Sequence, residues 1–508
     1  MPACYQGELT IQRGKIVSVA ESKGGVTLII DGKRKEIPDA WVLPGLVDAH
    51  AHVVGLGIAC REGYLYGANS KQECIERILQ ANIYRDGWIV ARGWNQELWS
   101  PALFPTRWDL DEYFPDTPVV LFRVDGHAVW VNTKVLNIAS ITQSTPDPVG
   151  GAILRNSDGE PTGILIDAAA DLVTEYIPRL SLTEIEHAII QALFLCSQAG
   201  LTEIHDMDVL PEDLPIFTRL AEEGKLPCRV LSWVRGQHYE WRDHGILPTV
   251  GEFHRVVGVK FFADGALGSR GAALLEPYSD EPSNSGLLLL TKEELVERFK
   301  CVIEDGFSSI AVHAIGDRAV RVVLDAFESL HTLYPSLDDI RFRIEHSQIV
   351  HPDDMRRYAS LGAIASVQPI HCTSDAQMAE QRLGARVCNS YRWRSFLEHG
   401  VLLCAGSDFP VESYNPLLGI EAFCRRVPTA RQESWQPQEC ISIVDAVDAY
   451  TINAHRAADM SYRRGRIAPG MDADITILDR NIYACPLEEL SQARTLATVV
   501  GGKLYEHA

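Results

Sequence analysis

The sequence predicts a (β/α)₈ barrel, a distorted TIM barrel, joined to a small β-sandwich built from both chain ends. Three observations point there. Eight short apolar runs, each suited to a buried strand, alternate with helical patterns through the middle of the chain. Both ends show short strands punctuated by glycine turns, and neither end alone buries a core. Four histidines, one lysine and one aspartate stand where apolar runs stop. In a barrel those stops converge on a single pocket.

Within residues 1–47, the stretch 7–20 reads as two strands around Arg13-Gly14. The run 26–30 followed by Asp31-Gly32 signals a hairpin. The first barrel strand is expected over 42–52. The other seven are expected at 201–205, 228–234, 256–262, 309–313, 341–346, 363–368 and 401–408. Helical patterns at 182–199, 292–305, 318–334 and 352–361 separate several of them. The gap after the first strand, about 150 residues, is too long for one connection and implies an inserted subdomain over about 60–195. Its strand-like runs, such as Trp88-Ile-Val-Ala-Arg and Pro118-Val-Val-Leu-Phe-Arg, make it α/β. After the eighth strand, Ser442 and Asp445 form a capping box that opens a helix running through Ala458. Strands are expected at Arg466-Ile467, 470–479 and 496–505. The barrel is thus bounded at 48–463 and the sandwich at 1–47 plus 464–508.

Composition narrows the function classes. The 508 residues carry a formal charge of −21, which argues against nucleic acid or an anionic membrane as partner. No run approaches the ~18 apolar residues of a membrane helix, and no secretory signal opens the chain. Twelve cysteines lack a Cys-x-x-Cys pair, and many sit in apolar contexts. They read as reduced thiols of a cytoplasmic protein. A small molecule is the expected partner, with a homodimer left open.

The strand-end residues carry the chemistry. His50 and His52 are two apart and would project together from one strand end, as a metal half-site does. Lys260, His313, His346 and Asp408 end the fourth, fifth, sixth and eighth strands. Any one of them alone reads as a structural hydrogen bonder; their joint placement points to metal. His50, His52 and Asp408 could hold one divalent ion and His313 with His346 a second. Imidazole with carboxylate suits Zn²⁺, with Mn²⁺, Fe²⁺ or Co²⁺ as alternatives. Lys260 could join only as a carbamate, which would bridge the pair.

Several stretches together resemble the metal-dependent amidohydrolase superfamily. They are Pro44-Gly-Leu-Val-Asp-Ala-His-Ala-His52, Arg123-Val-Asp-Gly-His127, Gly159-Glu-Pro-Thr-Gly-Ile-Leu165, the run from Val259 to Arg270, Val312-His-Ala-Ile-Gly-Asp317, Ile344-Glu-His346, Gly406-Ser-Asp408 and Gly470-Met-Asp-Ala-Asp474. More narrowly, the chain looks like the branch of YtcJ-like proteins and N-substituted formamide deformylases. The resemblance implies the barrel-plus-sandwich fold, makes His50, His52, His313, His346 and Asp408 metal-site residues, and renders carbamylated Lys260 plausible. Gly271 departs from the threonine common in that branch after Ser-Arg.

The expected reaction is hydrolysis of a non-peptide C–N bond in a small amide, cyclic amide or amidine, with Asp408 as general acid and base. His127, His205, Arg270 and His371 are candidate substrate contacts. Trp94, Trp99 and Trp130 suggest either an aromatic pocket wall or insertion core. Two rival readings are ester or lactone hydrolysis on the same barrel, and a non-catalytic scaffold that has lost its metals.

Overall fold

The structure is a computed structural model. It describes residues 4–60, 63–81, 86–124, 126, 128–148, 151–334 and 336–507. The chain forms two compact units, Met1–Val53 with Leu193–Ala508, and Val54–Ala192. Among the described residues the strands form four sheets.

The central sheet has eight parallel strands in barrel order. They are Leu46–Ala51, Leu201–Val209, Arg229–Arg235, His254–Phe262, Ser309–Ala314, Arg341–His346, Ile364–Val367 and Leu403–Ala405. Helices such as Leu182–Gln198, Lys292–Glu304 and Asp317–Leu333 alternate with them, giving the distorted TIM barrel. The first and eighth strands close through side-chain and loop contacts. Asp48 accepts from the Ser407 backbone N–H at 3.0 Å and from its hydroxyl at 2.6 Å. The Asp408 N–H donates to the His50 carbonyl at 2.7 Å, and the His52 N–H to the Phe409 carbonyl at 2.9 Å. Gly406 permits this approach, because a Cβ there would lie 2.3 Å from the His50 nitrogen.

Both chain ends contribute to the sandwich. One four-stranded sheet comes wholly from the N-terminus (Gly7–Gln12, Lys15–Glu21, Gly25–Ile30, Lys33–Pro38). The other joins Trp41–Pro44 to Ile475–Leu478, Thr495–Val500 and Lys503–Glu506. Leu9, Ile11, Leu28, Val42, Ile475 and Val499 belong to the one buried cluster they share. Alternation along each strand turns these residues to a common inner face.

Four local expectations are corrected. The run 42–52 is two strands, not one. Gly45 separates them: its N–H donates to the Asp474 carbonyl, and a Cβ there would lie 2.2 Å from the Thr202 hydroxyl. Arg466-Ile467 is not a strand, since backbone pairing with the first hairpin comes later, through Gly470 and Ala473. The helix opened by Ser442 stops at Ala449 and restarts at Ile452. There the Tyr450 carbonyl turns away to accept from the Val47 N–H at 2.7 Å. The segment 352–361 begins as a 3₁₀ turn, Pro352–Asp354, before the helix Met355–Ser360.

The second unit holds a six-stranded mixed sheet, with Val119–Arg123, Ile89–Trp94 and Ala128–Val131 near its middle. Trp94, Trp99 and Trp130 pack edge and face within its buried core, ring centroids 6.1 and 6.4 Å from Trp94, so they are core and not pocket wall. No helix among the described residues is long and apolar enough to cross a membrane.

Candidate metal centre

The carboxyl ends of barrel strands one, five, six and eight bring His50, His52, His313, His346 and Asp408 together. Strand alternation puts His50 and His52 on one side, ring centroids 5.6 Å apart. His346 and Asp408 reach the same place by another route. Both have left-handed backbone, φ 72° and 60°, His346 as the last residue of its strand and Asp408 in the loop that follows Leu403–Ala405. The Asp408 carboxylate lies 3.0 Å from His52 Nε2 and 3.5 Å from His50 Nε2. Donor atoms of His50, His346 and Asp408 fall within 4.8 Å of one another, the spacing of a cation site. His313 adjoins through His346, ring centroids 4.5 Å apart.

Three of these rings have one nitrogen tied to an acceptor. His52 Nδ1 donates to the Met207 carbonyl at 2.9 Å, which leaves Nε2 to face Asp408. His313 Nε2 approaches the Gly265 carbonyl at 3.4 Å. His50 Nδ1 is 2.6 Å from the fully buried Glu345 carboxylate. Two buried ring nitrogens have no hydrogen-bond partner: His346 Nδ1 and His371 Nε2. An orphaned imidazole nitrogen in a dry, acid-bearing cluster costs free energy unless something else completes it. The donor set and these orphaned atoms fit a divalent cation.

Electrostatics agree with that fit. Burial holds His50 below its ordinary pKa, and burial with neighbouring His313 holds His346 well below. Burial and Lys260 push His313 down to about 3. These rings are therefore neutral, as metal ligands must be. Burial opposes charge on His52 too, yet Asp408 outweighs it and raises that pKa. Burial would raise Asp408, but His50 and His52 pull it well below the usual carboxylate range. Lys260 is 1% exposed, and burial lowers its pKa. Its ammonium lies 4.0 Å from the centre of the Phe262 ring.

The other expected contacts divide. His371, in the first turn of the helix Pro369–Leu383, stacks 6.2 Å from His346 and sits 3.9 Å from Asp408. His205 is not a substrate contact: it is wholly buried inside the barrel, between Glu203 and Arg343. Arg270 spends its charge on Asp280 and Glu281, which bind it at 2.9 and 3.2 Å, so it braces a loop. His127 lies outside the described residues.

Three residues around the cluster escape a reading by strand ends. Glu345 neighbours His346 in sequence and was the findable one, an acid inside the Ile-Glu-His motif. Asp264 accepts from the Ala273, Ile315 and Gly316 N–H groups and pins the loop beside His313; burial raises its pKa to about 7. Asp48, raised to about 7 by burial, closes the barrel seam.

Comparison with known proteins follows the same line. A model of the amidohydrolase family matches residues 39–505. Protein LONG AFTER FAR-RED 3 of Arabidopsis thaliana is 35% identical, covering 98% of this chain and 88% of that protein. The putative amidohydrolase YtcJ of Bacillus subtilis is 32% identical over 92% of this chain and 89% of its own. The N-substituted formamide deformylase of Arthrobacter pascens is 27% identical, over 99% and 95%. Among solved structures, an uncharacterized metal-dependent hydrolase from Pyrococcus horikoshii superposes with TM-score 0.77 at 26% identity, covering 96% of this chain and 99% of that one. With the barrel, the strand-end cluster and a family match over nearly the whole length, this chain belongs to the amidohydrolase family, on its YtcJ-like branch, and is a hydrolase of the metal-dependent superfamily.

Proposed function

We propose that this chain hydrolyses a C–N bond in a small amide, cyclic amide or amidine. The observation that carries the reading is the cluster of His50, His346 and Asp408, two neutral rings beside one ionised carboxylate, with His346 Nδ1 left unpartnered. His50, His52 and Asp408 would hold one divalent ion, and His313 with His346 a second. Zn²⁺ is the ion that this imidazole and carboxylate set suits best. Bound there, such an ion supplies a Lewis acid for the carbonyl oxygen and makes water acidic enough to attack near neutral pH. Lys260, buried and with its amine biased toward the neutral form, would accept CO₂ and bridge the pair as a carbamate.

The protein's own part falls chiefly to Asp408. One carboxylate oxygen faces His52 and the other His371, so the group stands between the ligand rings and the pocket. It takes a proton from the attacking water and returns it to the departing nitrogen as the tetrahedral carbon collapses. His371 Nε2, buried and unpartnered, is placed to hydrogen-bond the reacting group. The formamide deformylase named above supports a C–N substrate over an ester.

The test is a panel on the Zn²⁺- or Co²⁺-loaded protein: N-substituted formamides, cyclic amides and amidines beside matched esters and lactones. Turnover of the C–N substrates with one or two ions per chain is expected. Turnover of esters or lactones alone would reassign the reaction. A protein binding no ion and turning over nothing would be the scaffold reading.

A further inference from the structure

A second feature lies behind the ligand rings, in the dry interior of the barrel. Glu345 and Arg343 stand two apart on the sixth strand and point inward together. Both are wholly buried. The Arg343 Nε donates to Glu345 Oε1 at 2.8 Å, so that oxygen is spoken for. The other oxygen, Oε2, lies 2.6 Å from His50 Nδ1 and takes only a long second bond, 3.4 Å, from Arg343. Arg343 is itself held on several sides. It donates to the Ala49 carbonyl at 2.6 Å and the Ser366 hydroxyl at 3.1 Å, and its guanidinium lies 4.6 Å from the Trp233 ring. A rigid fork therefore aims one carboxylate oxygen at the outer nitrogen of one imidazole.

We infer that the Arg343–Glu345 pair is a positioning device that keeps the proton of His50 on Nδ1 and so leaves Nε2 bare toward Asp408 and His346. The inference rests on the proposed role of His50 in holding an ion. A carboxylate already engaged by arginine can only accept, so the proton between it and His50 belongs to the imidazole. His52 reaches the same tautomer with a backbone carbonyl. On His50 the task falls to a side chain, and a substitution can therefore reverse it. Such outer partners are worth roughly 10–100-fold in ion affinity.

Glu345→Gln tests this sharply. The amide has one oxygen where the carboxylate has two. Arg343 claims it, and the NH₂ group faces His50 Nδ1, which must then accept. The proton moves to Nε2 and points at the cluster. Two readouts follow, neither needing turnover. In ion-free protein with ¹⁵N-labelled histidine, His50 shifts from the Nδ1–H to the Nε2–H form. In chelator-competition titrations with Zn²⁺, affinity falls about 10–100-fold. Adding Arg343→Met frees the amide oxygen to turn back to His50, so the double variant binds Zn²⁺ more tightly than Glu345→Gln alone, a rescue that mere loss of packing would not produce. Should Glu345→Gln fail to accumulate folded, Glu345→Asp withdraws the oxygen from His50 while keeping the charge beside Arg343, and weaker binding is again expected. An unchanged His50 tautomer, or wild-type affinity in a folded Glu345 variant while His50→Asn loses its ion, overturns the inference. If His50→Asn itself binds as wild type, the ion-holding role of His50 fails instead, and the tautomer measurement still decides the positioning.

Discussion

At one end of the barrel interior, Arg464 reaches Glu203 at 2.7 Å and Asp472 at 3.0 Å, and Arg229 reaches Asp474 at 2.8 Å. At the other end, His50, His346, His371 and Asp408 crowd together, and His346 Nδ1 and His371 Nε2 have no partner. Both regions are dry and full of ionisable groups. The first satisfies its charges within the chain, and it ties sandwich residues Asp472 and Asp474 to barrel residues Glu203 and Arg229. The second leaves donor atoms open for something the chain does not itself supply. Burial alone therefore does not mark a site. What separates the two is the partner of the carboxylate: Glu203, Asp472 and Asp474 each face an arginine, whereas Asp408 faces imidazoles.

The comparison breaks first at Asp408. Asp408→Asn keeps the shape and removes the base, so kcat should fall by about 10²–10⁴ or more with the fold intact. Near-wild-type turnover on a verified substrate would pass the proton to His371, or to His127. The paired end should answer to stability instead. Arg464→Met leaves Glu203 and Asp472 short of a partner and should cost about 3–5 kcal/mol in denaturant unfolding, with ion content unchanged. A loss of ion with no loss of stability would merge the two regions.

Replacing His50 and His52 together by asparagine should remove at least one ion per chain, read by elemental analysis of the folded variant. Full ion content would refute the ligand assignment. With ion in 100-fold excess over its dissociation constant, stripping it should lower stability by about 2.7 kcal/mol in the wild type, and by less in this variant.

Acid should find the buried histidines before the paired carboxylates. Burial holds His205 and His254 at about 4 in the folded chain, while an unfolded histidine titrates near 6.5. The unfolded state thus takes up protons first, and this stability, complete above about 6.5, is lost as pH falls through about 4. Burial opposes ionisation of Asp472, but Arg463, Lys15 and Arg464 pull it down to about 2, so its contribution persists until pH falls through that lower range. A midpoint of chemical denaturation that stayed flat from pH 7 to 4 would contradict this. The smallest effect belongs to His371→Ala. It removes a ring that stacks on His346 and lies 3.9 Å from Asp408 but holds no hydrogen bond, so stability should fall by less than in Arg464→Met while the substrate response changes.

The eight barrel strands were legible because strands covered on both faces read as unbroken apolar runs, and the residue ending each run could be counted off. His50 and His52 followed from a two-residue spacing. His346 and Asp408 are marked by position, though the left-handed backbone that brings them into the cluster leaves no mark in residue type. The roles given to His205 and Arg270 misled for a related reason. His205 closes the apolar run 201–205, but the strand continues to Val209 and buries it, while Arg270 lies in the loop after His254–Phe262; only their partners Glu203, Arg343, Asp280 and Glu281 reveal them as braced.

Sequence by itself determined the order of elements, the supply of imidazole and carboxylate at strand ends, and the kinship these imply, since all three depend on local pattern. Tertiary structure alone decided which charges are answered and which stay open. His50 meets Glu345 across 295 residues, Arg464 meets Glu203 across 261, and His205 meets Arg343 across 138. Distances of a few ångströms between such remote positions are set by barrel closure and core packing, and no spacing along the chain encodes them.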